Sequence, residues 1–283
     1  MIIAYAGERG AFAELAAMEY FGKNCQYTAV SDFATVFESV ANGSSDFGVI
    51  PIENSLAGSI HQNYDLLLES DAEIVGEILL KVGHHLIANT NVKHEDLRSV
   101  FSHPQALAQC KNYLRKHKKL QVVPFSNTAA AVKKIKDEKI EDAAAIASMQ
   151  AAIDFNMNIL DSNIEDHNSN VTRFLIISAL TEKAPTDVKK VKTSIVFSTK
   201  NIPGALFKCL AVFALRDINL YKIESRPTHG QGFQYLFYLD LEGDLRLESV
   251  RNAIGHLKEL TVFYRFLGSY EIGKLVEPSY NKR

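Results

Sequence analysis

Four short groups of hydroxyl- and amide-bearing residues lie where apolar runs of this sequence end or begin. The first follows the run FGVIPI, the second follows SVF, the third follows QVVPF, and the fourth leads into LIIS. The groups are residues 53–59 (ENSLAGS), 102–106 (SHPQA), 126–129 (SNTA) and 170–174 (NVTRF). In open α/β sheets ligands bind beyond the carboxyl ends of strands, where the first N–H groups of helices attract anions. With one arginine, Arg173, the four groups favour a binding site for a small polyanion, although any single group can equally be a helix cap.

Several other chemistries lack their motifs. The segment 7–10 (GERG) is too short for a dinucleotide fingerprint, and the sequence contains neither G-x-x-x-x-G-K-[ST] nor G-x-S-x-G. His84 and His85 are adjacent in an apolar strand and must point to opposite faces, so we expect core or edge histidines rather than metal ligands. The three cysteines form no C-x-x-C pair. We therefore expect neither a metal nor a cofactor.

The first 180 residues alternate short apolar runs with helix-period segments, which is typical of an α/β domain. Ser31 is expected to cap a helix beginning near Phe33, and Pro104 to stand in the first turn of a single helix that runs to about residue 117. The predicted strands are residues 2–6, 47–52, 74–80, 84–89, 99–102, 121–125, 143–147 and 170–178, and the other predicted helices are 12–21, 63–70 and 128–136.

A polar segment, residues 181–192, separates this domain from a second pattern and is predicted to be a linker. After it the sequence indicates strand, helix, strand, strand, helix, strand. That order predicts a four-stranded antiparallel sheet with two helices on one face, the ferredoxin-like arrangement. The predicted strands are 193–198, 219–225, 233–240 and 262–267, and the helices are 205–215 and 245–257.

Composition and charge limit the class of protein. The 283 residues are 47% hydrophobic and 23% charged, which are values of a globular protein. The formal charge of −2 argues against a nucleic-acid partner. No apolar run is long enough to span a membrane, and the N-terminal residues resemble a first strand rather than a signal peptide. We expect a soluble, cytoplasmic protein.

Several segments together resemble the prephenate dehydratase family and its C-terminal ACT domain. The resemblance extends from about residue 4 to residue 267, and the stretch SIHQNYDLLLE also resembles the plant arogenate dehydratases of that family. Ala11, Ala13 and Asn127 stand where many members have threonine or serine. The segments are GERGAFAELAA, VIPIENSLAGSIHQNYDLL, FSHPQALAQC, SNTAAAV and NVTRF, followed by GALFKCL and IESRP.

The resemblance implies a fold and a domain arrangement. It predicts an α/β catalytic domain over residues 1–180, built of two lobes like a periplasmic binding protein, with residues 81–161 forming the second lobe. The linker 181–192 and a ferredoxin-like βαββαβ ACT domain over residues 193–275 follow. The active site is expected between the lobes. We also expect a homodimer or a dimer of dimers, because ACT-type sheets leave edges for a second copy.

The resemblance also implies an activity. The expected reaction converts prephenate to phenylpyruvate, CO2 and water in phenylalanine biosynthesis, without metal or cofactor. Two alternatives stay open: a dehydratase acting on arogenate, and a non-catalytic protein that binds small anions.

Residue roles follow from the same resemblance. Thr172 is the expected donor to the leaving hydroxyl. Because neighbours in a regular strand face opposite sides, Thr172 and Arg173 should not both enter the cleft, and Phe174 shares the side of Thr172. Glu53 and His103 are further catalytic candidates, with a salt bridge and a helix cap as their structural alternatives. The remaining candidates for substrate binding are Asn54, Ser55, Gln105, Ser126, Thr128, Arg173 and Phe174.

A second site is expected in the ACT domain. L-phenylalanine should bind there as a feedback inhibitor, between a strand-to-helix loop and the E-S-R-P segment of a neighbouring subunit. Gly204 lets a ligand backbone approach the free N–H groups of the helix. The expected effector residues are Pro203, Gly204, Ala205, Leu206, Glu224, Ser225, Arg226 and Pro227.

Overall fold

A computed structural model of the chain describes residues 1–179, 190–227 and 235–280. The chain divides into two compact units. The first contains Met1–Leu66, Ile78–Leu175 and the residues from Lys274 onward, and the second contains Leu67–Glu77 and Ile176–Gly273. Most of the predicted linker lies outside the described residues. The domain boundaries predicted from the sequence therefore stay predictions.

The chain begins with strands and helices that alternate as the apolar runs predicted. Strand β2 is an addition, because its half-exposed QYTAV sequence carries no continuous apolar run. The cap of α2 is Asp32 rather than Ser31: the Asp32 carboxylate accepts from Thr35 N at 2.9 Å. The elements are β1 (Ile2–Ala6), α1 (Phe12–Phe21), β2 (Gln26–Val30), α2 (Phe33–Ala41), β3 (Phe47–Asn54), β4 (Gly58–Ser59), α3 (His61–Glu69) and β5 (Glu73–Lys81).

The next stretch contains the strands of a second sheet. The single helix predicted from Pro104 onward is two helices that meet at the buried Cys110, whose N–H is shared between Ala106 O and Leu107 O as in a tightened helix end. The short α7 and β10 were not predicted. The elements are β6 (His85–Ala88), β7 (Ser99–Ser102), α4 (Pro104–Gln109), α5 (Lys111–Lys116), β8 (Gln121–Pro124), α6 (Thr128–Asp137), β9 (Ala143–Ala147), α7 (Met149–Asp154), β10 (Asn158–Asp161) and β11 (Val171–Ser178).

Strands β5 and β11 mark the two crossings between the lobes. The second sheet has the order β10-β6-β9-β7-β8 and takes all its strands from residues between those crossings. The first sheet contains β5, β11, β3, β1 and β2 side by side, with β4 paired to β3. Ser55 N donates to Val171 O at 2.8 Å, so the end of β3 lies beside the start of β11.

The second unit contains the predicted strand–helix pattern. Its sheet has the order β13-β14-β12-β15 with antiparallel neighbours, and apolar residues of both helices pack against Ile195, Phe197 and Leu239 of the sheet. The mixed α/β class, with two lobes followed by a ferredoxin-like βαββαβ unit, is confirmed. The elements are β12 (Val191–Thr199), α8 (Ala205–Ala214), β13 (Leu220–Pro227), β14 (Tyr235–Glu242), α9 (Glu248–Leu260), β15 (Thr261–Glu271) and β16 (Leu275–Val276), the last of which pairs with β5.

Among the residues described, no helix has both the length and the apolar character that a transmembrane segment needs.

Candidate active site

A cavity of about 330 Å³ lies in the first unit, with residues of both lobes in its lining. Among the described residues that line it, none is Asp, Glu, Lys or Arg; the polar ones are neutral amides, hydroxyls and histidines. The lining residues are Ala6, Ala11, Phe12, Ala13, Phe33, Pro51, Asn54, Ile60, Val82, His84, His103, Gln105, Ala106, Gln109, Asn127, Thr128, Thr172 and Phe174.

Four helices begin at this cavity: α1, α2, α4 and α6. The start of α6 is capped by its own side chain, since Asn127 Oδ1 accepts from Ala130 N at 2.7 Å. The start of α1 differs, because Ala11 supplies no side-chain cap. The first N–H groups of that ten-residue helix are therefore available to an anionic ligand, favoured further by the helix dipole.

Asn54 fixes the position of Thr172. The Asn54 Oδ1 accepts from Leu56 N at 3.1 Å and from Ala57 N at 3.0 Å, so its Nδ2 must be turned the other way. That Nδ2 donates to Thr172 Oγ1 at 2.9 Å and to Asn170 Oδ1 at 2.8 Å. Because Thr172 Oγ1 is an acceptor in this bond, its own hydrogen is left to donate elsewhere.

Gln109, at the end of α4, joins this network from the other lobe. Its Nε2 donates to Asn54 Oδ1 at 3.3 Å, and its Oε1 accepts from Asn170 Nδ2 at 3.0 Å. The same Oε1 lies 2.8 Å from His84 Nε2. The three amides thus form a closed ring that holds the two lobes in a defined relation.

The start of β11 follows the expected alternation. Thr172 and Phe174 are buried and line the cavity, whereas the half-buried Arg173 between them is not part of the lining. Arg173 has an interaction partner of its own.

Three other predicted site residues also lie outside the lining. Ser55 holds the loop after β3 in place: its Oγ donates to Ser169 O at 2.9 Å and accepts from Val171 N at 3.0 Å. Glu53 precedes Asn54 in β3 and therefore faces the opposite side of the sheet. Ser126 is exposed ahead of α6.

His103 caps α4, as its structural alternative predicted, and it also lines the cavity; its catalytic role stays a prediction. Its Nδ1 accepts from Gln105 N at 3.2 Å. The neutral ring consequently carries its hydrogen on Nε2, and burial lowers the pKa of His103, which keeps the ring neutral near pH 7. His103 is thereby a neutral hydrogen-bond donor.

Sequence reasoning missed Gln109, Asn170 and His84 as members of the site. Gln109 had a signal, because it follows Gln105 by four residues and so lies one helical turn further on the same face. Asn170 immediately precedes the N-V-T-R-F strand. His84 was expected to be a core or edge histidine; it is 2% exposed, as such a residue would be, but it lines the cavity.

A smaller cavity of about 140 Å³ lies in the second unit at the start of α8. Ala205 and Leu206 line it, and Gly204 precedes them at φ 75° without a side-chain cap on the helix. Tyr235 and Phe237 of β14 complete the apolar side, and their partners in β13 are Pro227 and Ser225. Of the other predicted effector residues, Pro203 belongs to the same loop, and Glu224 and Arg226 to the same strand.

The fold and the cavity of about 330 Å³ define a two-lobed α/β protein with a ligand-sized site between its lobes. A ferredoxin-like unit follows the two lobes in the sequence. Residues 3–182 match the family model described as prephenate dehydratase. The chain belongs to the prephenate dehydratase family.

Relatives of known function extend over nearly the whole chain. It is 48% identical to "Arogenate dehydratase/prephenate dehydratase 2, chloroplastic" of Arabidopsis thaliana over 279 residues, which covers 95% of this chain and 72% of the relative. It is 42% identical to the "Bifunctional chorismate mutase/prephenate dehydratase" of Aquifex aeolicus, covering 97% and 75%. The crystal structure of prephenate dehydratase from Arthrobacter aurescens, in complex with L-Phe, is 30% identical with a TM-score of 0.89, covering 96% and 90%.

Proposed function

We propose that this protein is a carbon–oxygen lyase that converts prephenate to phenylpyruvate, CO2 and water, a step of phenylalanine biosynthesis. The observation that carries the proposal is the bond from Asn54 to Thr172, which leaves the Thr172 hydroxyl hydrogen for a ligand in a neutral cavity. Membership of the prephenate dehydratase family supports the same conclusion.

The chemistry needs little from the protein beyond binding and hydrogen-bond donors for the leaving hydroxide. The bond to the ring carboxylate breaks, its electron pair enters the ring, and the hydroxyl at the opposite ring carbon leaves with the electron pair of its own bond. The ring becomes aromatic, so the reaction is strongly favourable. The difficult event is departure of hydroxide, which a donor in the transition state assists by about 10²–10⁴-fold.

In our mechanism Thr172 donates a hydrogen bond to the departing hydroxyl. A threonine hydroxyl alone is a weak acid, so we propose that the neutral Nε2–H of His103 donates a second hydrogen bond to the departing oxygen, which leaves as hydroxide and takes its proton from solvent. Glu53 lies on the opposite face of β3 and serves in this mechanism only as a structural residue.

Helix N-termini bind the two carboxylates in this proposal. None of the described lining residues is cationic, so the oriented N–H groups at the uncapped start of α1 supply the positive potential, and the dipole of α6 adds to it. Gln105, Asn127 and Thr128 add side-chain hydrogen bonds at the starts of α4 and α6. Such fixed dipoles stabilise charge without reorganising during the reaction.

The direct test is turnover by the purified protein. Prephenate should yield phenylpyruvate in the presence of a chelator and without added cofactor. A protein silent with both prephenate and arogenate contradicts the proposal. Mass spectrometry that recovers unchanged prephenate from a tight complex favours the non-catalytic alternative instead.

We further propose that L-phenylalanine inhibits through the smaller cavity of the second unit, acting as an ACT-type regulatory domain. The cavity at the start of α8 supports this, since it combines an uncapped helix start with apolar side chains. A solved relative contains L-Phe. Rising L-phenylalanine should lower the rate of prephenate turnover. A complex in which L-phenylalanine occupies only the cavity of the first unit contradicts a separate site.

The homo-oligomer is also a proposal. Strand β13 lies at an edge of its sheet and exposes Tyr221 and Ile223, which a second copy could cover. Light scattering should give at least twice 31.5 kDa at micromolar concentration, and a monomer contradicts this. The cytoplasmic location stays a prediction, which cell fractionation tests.

A further inference from the structure

His84 is a buried polar side chain that the mechanism above does not use. It is 2% exposed, lines the cavity, and meets the ring of Phe12 edge to face at 5.7 Å between centroids. Its Nε2 lies 2.8 Å from Gln109 Oε1, whereas its Nδ1 has no hydrogen-bond partner among the described residues. A buried polar atom without a partner costs stability, so it requires an explanation.

The amide ring determines which nitrogen of His84 carries the hydrogen. Gln109 Oε1 accepts from Asn170 Nδ2, and Gln109 Nε2 donates to Asn54 Oδ1, so the Gln109 amide cannot be reversed without breaking both bonds. His84 Nε2 must therefore be the donor to Gln109 Oε1. The Nδ1 atom is then a lone-pair acceptor. Burial lowers the pKa of His84 against smaller opposing effects of Gln109 and Glu165, so the ring stays neutral and keeps that lone pair.

A ligand in the cavity that satisfies this lone pair must present a donor. Two of the side-chain acceptors in the lining are engaged: His103 Nδ1 accepts from Gln105 N, and Asn127 Oδ1 accepts from Ala130 N. The described lining contains no carboxylate. The ring hydroxyl, a donor in both substrates, is the group that Thr172 contacts in the proposed mechanism. The side-chain carboxylate of both substrates only accepts, and beside it prephenate carries a keto oxygen, which is also an acceptor. Arogenate carries an ammonium at the same carbon, which is a donor.

We propose that His84 Nδ1 accepts a hydrogen bond from the side-chain ammonium of arogenate and thereby sets how well this enzyme accepts arogenate relative to prephenate. The inference rests on the proposed function and goes beyond it by assigning substrate choice to one atom. A keto oxygen at that point faces a lone pair and gains nothing from it, whereas an ammonium gains a charge-assisted hydrogen bond.

The experiment compares His84→Gln with His85→Gln. Glutamine at position 84 can place its Nε2 where the imidazole Nε2 lies, so it retains the donor to Gln109, and its own acceptor, Oε1, is then displaced from the position of Nδ1. His85 is a matched control: it is 1% exposed, its Nδ1 also has no partner among the described residues, and it is not part of the lining. Both variants and the native protein are assayed for kcat/KM with arogenate and with prephenate, and their thermal unfolding is recorded.

The inference predicts that His84→Gln lowers kcat/KM for arogenate about 10- to 100-fold and changes the prephenate value by about threefold or less. His85→Gln should leave the ratio of the two values unchanged. A merely structural role of His84 alters both substrates equally and overturns the inference, as does an unchanged ratio in a folded His84→Gln protein. If the native protein turns over neither substrate, the proposed function fails; a changed prephenate value with no arogenate turnover overturns only the inference.

Folding of the variant does not decide the test. If His84→Gln does not fold, His84→Asn replaces it, because the asparagine oxygen can lie near the Nδ1 position and should retain part of the arogenate activity. If that variant also fails to fold, the native values decide. An arogenate kcat/KM more than about tenfold below that for prephenate contradicts an acceptor placed for an ammonium.

Discussion

The cavity between the lobes and the cavity at the start of α8 both open at a helix start without a side-chain cap, but they are built differently. The cavity of the first unit, about 330 Å³, is bordered by side chains from segments more than one hundred residues apart in sequence, as in the bond from Asn54 to Thr172. The cavity of the second unit, about 140 Å³, is bordered by the loop before α8 and two residues of β14. The backbone hydrogen bonds within that loop are local, from Ile202 N to Lys200 O and from Ala205 N to Ile202 O.

This difference matches what each cavity is proposed to do. A site that stabilises a transition state must hold its donors in place before the reaction, and the amide ring of the first cavity does so with reciprocal bonds. An effector site needs a difference in affinity between two states, which a loop with few long-range bonds can provide. The predictions below test this contrast, beginning with the largest effect.

Removal of the Thr172 hydroxyl should be the most damaging single change in the first cavity. Thr172→Ala is expected to lower kcat about 10²–10⁴-fold, because the departing hydroxide loses its donor. Thr172→Ser, which retains the hydroxyl, should recover most of the rate. Steady-state kinetics with prephenate gives both values.

A matched control lies in the second unit. Thr193 is fully buried, and its hydroxyl donates to Gly243 O at 2.7 Å. Thr193→Ala removes a buried threonine hydroxyl without touching the cavity, so it should lower stability and leave kcat unchanged. Equal losses of kcat in the two alanine variants contradict the role of Thr172.

Asn54→Asp tests the orientation of the amide ring. Aspartate can still accept from Leu56 N and Ala57 N, but it cannot donate to Thr172, and it adds a negative charge where a dianion binds. We expect kcat/KM for prephenate to fall by about 10- to 100-fold. Asn89→Asp is the control, since Asn89 donates to Ile140 O at 2.9 Å and is absent from the cavity lining. A comparable loss of kcat/KM in that variant contradicts the proposed role of the Asn54 amide.

Much of the fold could be predicted from the sequence because its elements are locally consistent. β1 and α1 begin and end where the apolar pattern predicts, at Ile2–Ala6 and Phe12–Phe21. The failures have tertiary causes. The helix after Pro104 breaks at Cys110, a residue fully buried in the core, although nothing in the local sequence forbids its continuation. The half-exposed β2 becomes a strand through its parallel pairing with β1.

The site was only partly predictable for a similar reason. Its strand-end groups carry a local signal, and the alternation of β11 was sufficient to separate Thr172 from Arg173. His84 carries no such signal. Whether a buried histidine is part of a core or part of a cavity depends on what the opposite lobe brings near it, here the amide of Gln109. The local periodicity of either segment does not predict contacts between the lobes.

A change at Gly204 tests the second cavity. Gly204 has φ 75°, a left-handed conformation that costs an L-amino acid about 1–2 kcal/mol, and an added Cβ meets no atom within 4 Å. Gly204→Val should therefore distort the loop without a clash. We expect the L-phenylalanine concentration for half-inhibition to rise about fivefold or more, with prephenate turnover unchanged in its absence.

Gly255 is the matched control for that change. It lies in α9, also has open space around its Cβ position, and shows no left-handed φ. Gly255→Ala should leave inhibition unaltered and stabilise the helix slightly. If L-phenylalanine inhibits the Gly204→Val protein as strongly as the native protein, the effector does not use this loop.

The smallest expected effect is the pH dependence of folding stability, which depends on three histidines of the first unit. Burial lowers the pKa of His84, His85 and His103, all in the first unit, below the ordinary imidazole value of 6.5. Below pH 6.5 the unfolded chain therefore binds protons that the folded chain does not, so folding stability is full above that pH and is lost as the pH falls toward the lowered values. Each histidine contributes a slope of at most about 1.4 kcal/mol per pH unit.

His85→Gln removes one of these three groups without altering the cavity lining, so urea unfolding between pH 7.5 and pH 5 should show a shallower loss of stability in this variant than in the native protein. Carboxylates with a lowered pKa, such as Asp32, lose their contribution only near and below pH 4, outside this window. Parallel slopes for His85→Gln and the native protein would show that His85 is protonated equally in both states, and the argument from its burial would then fail.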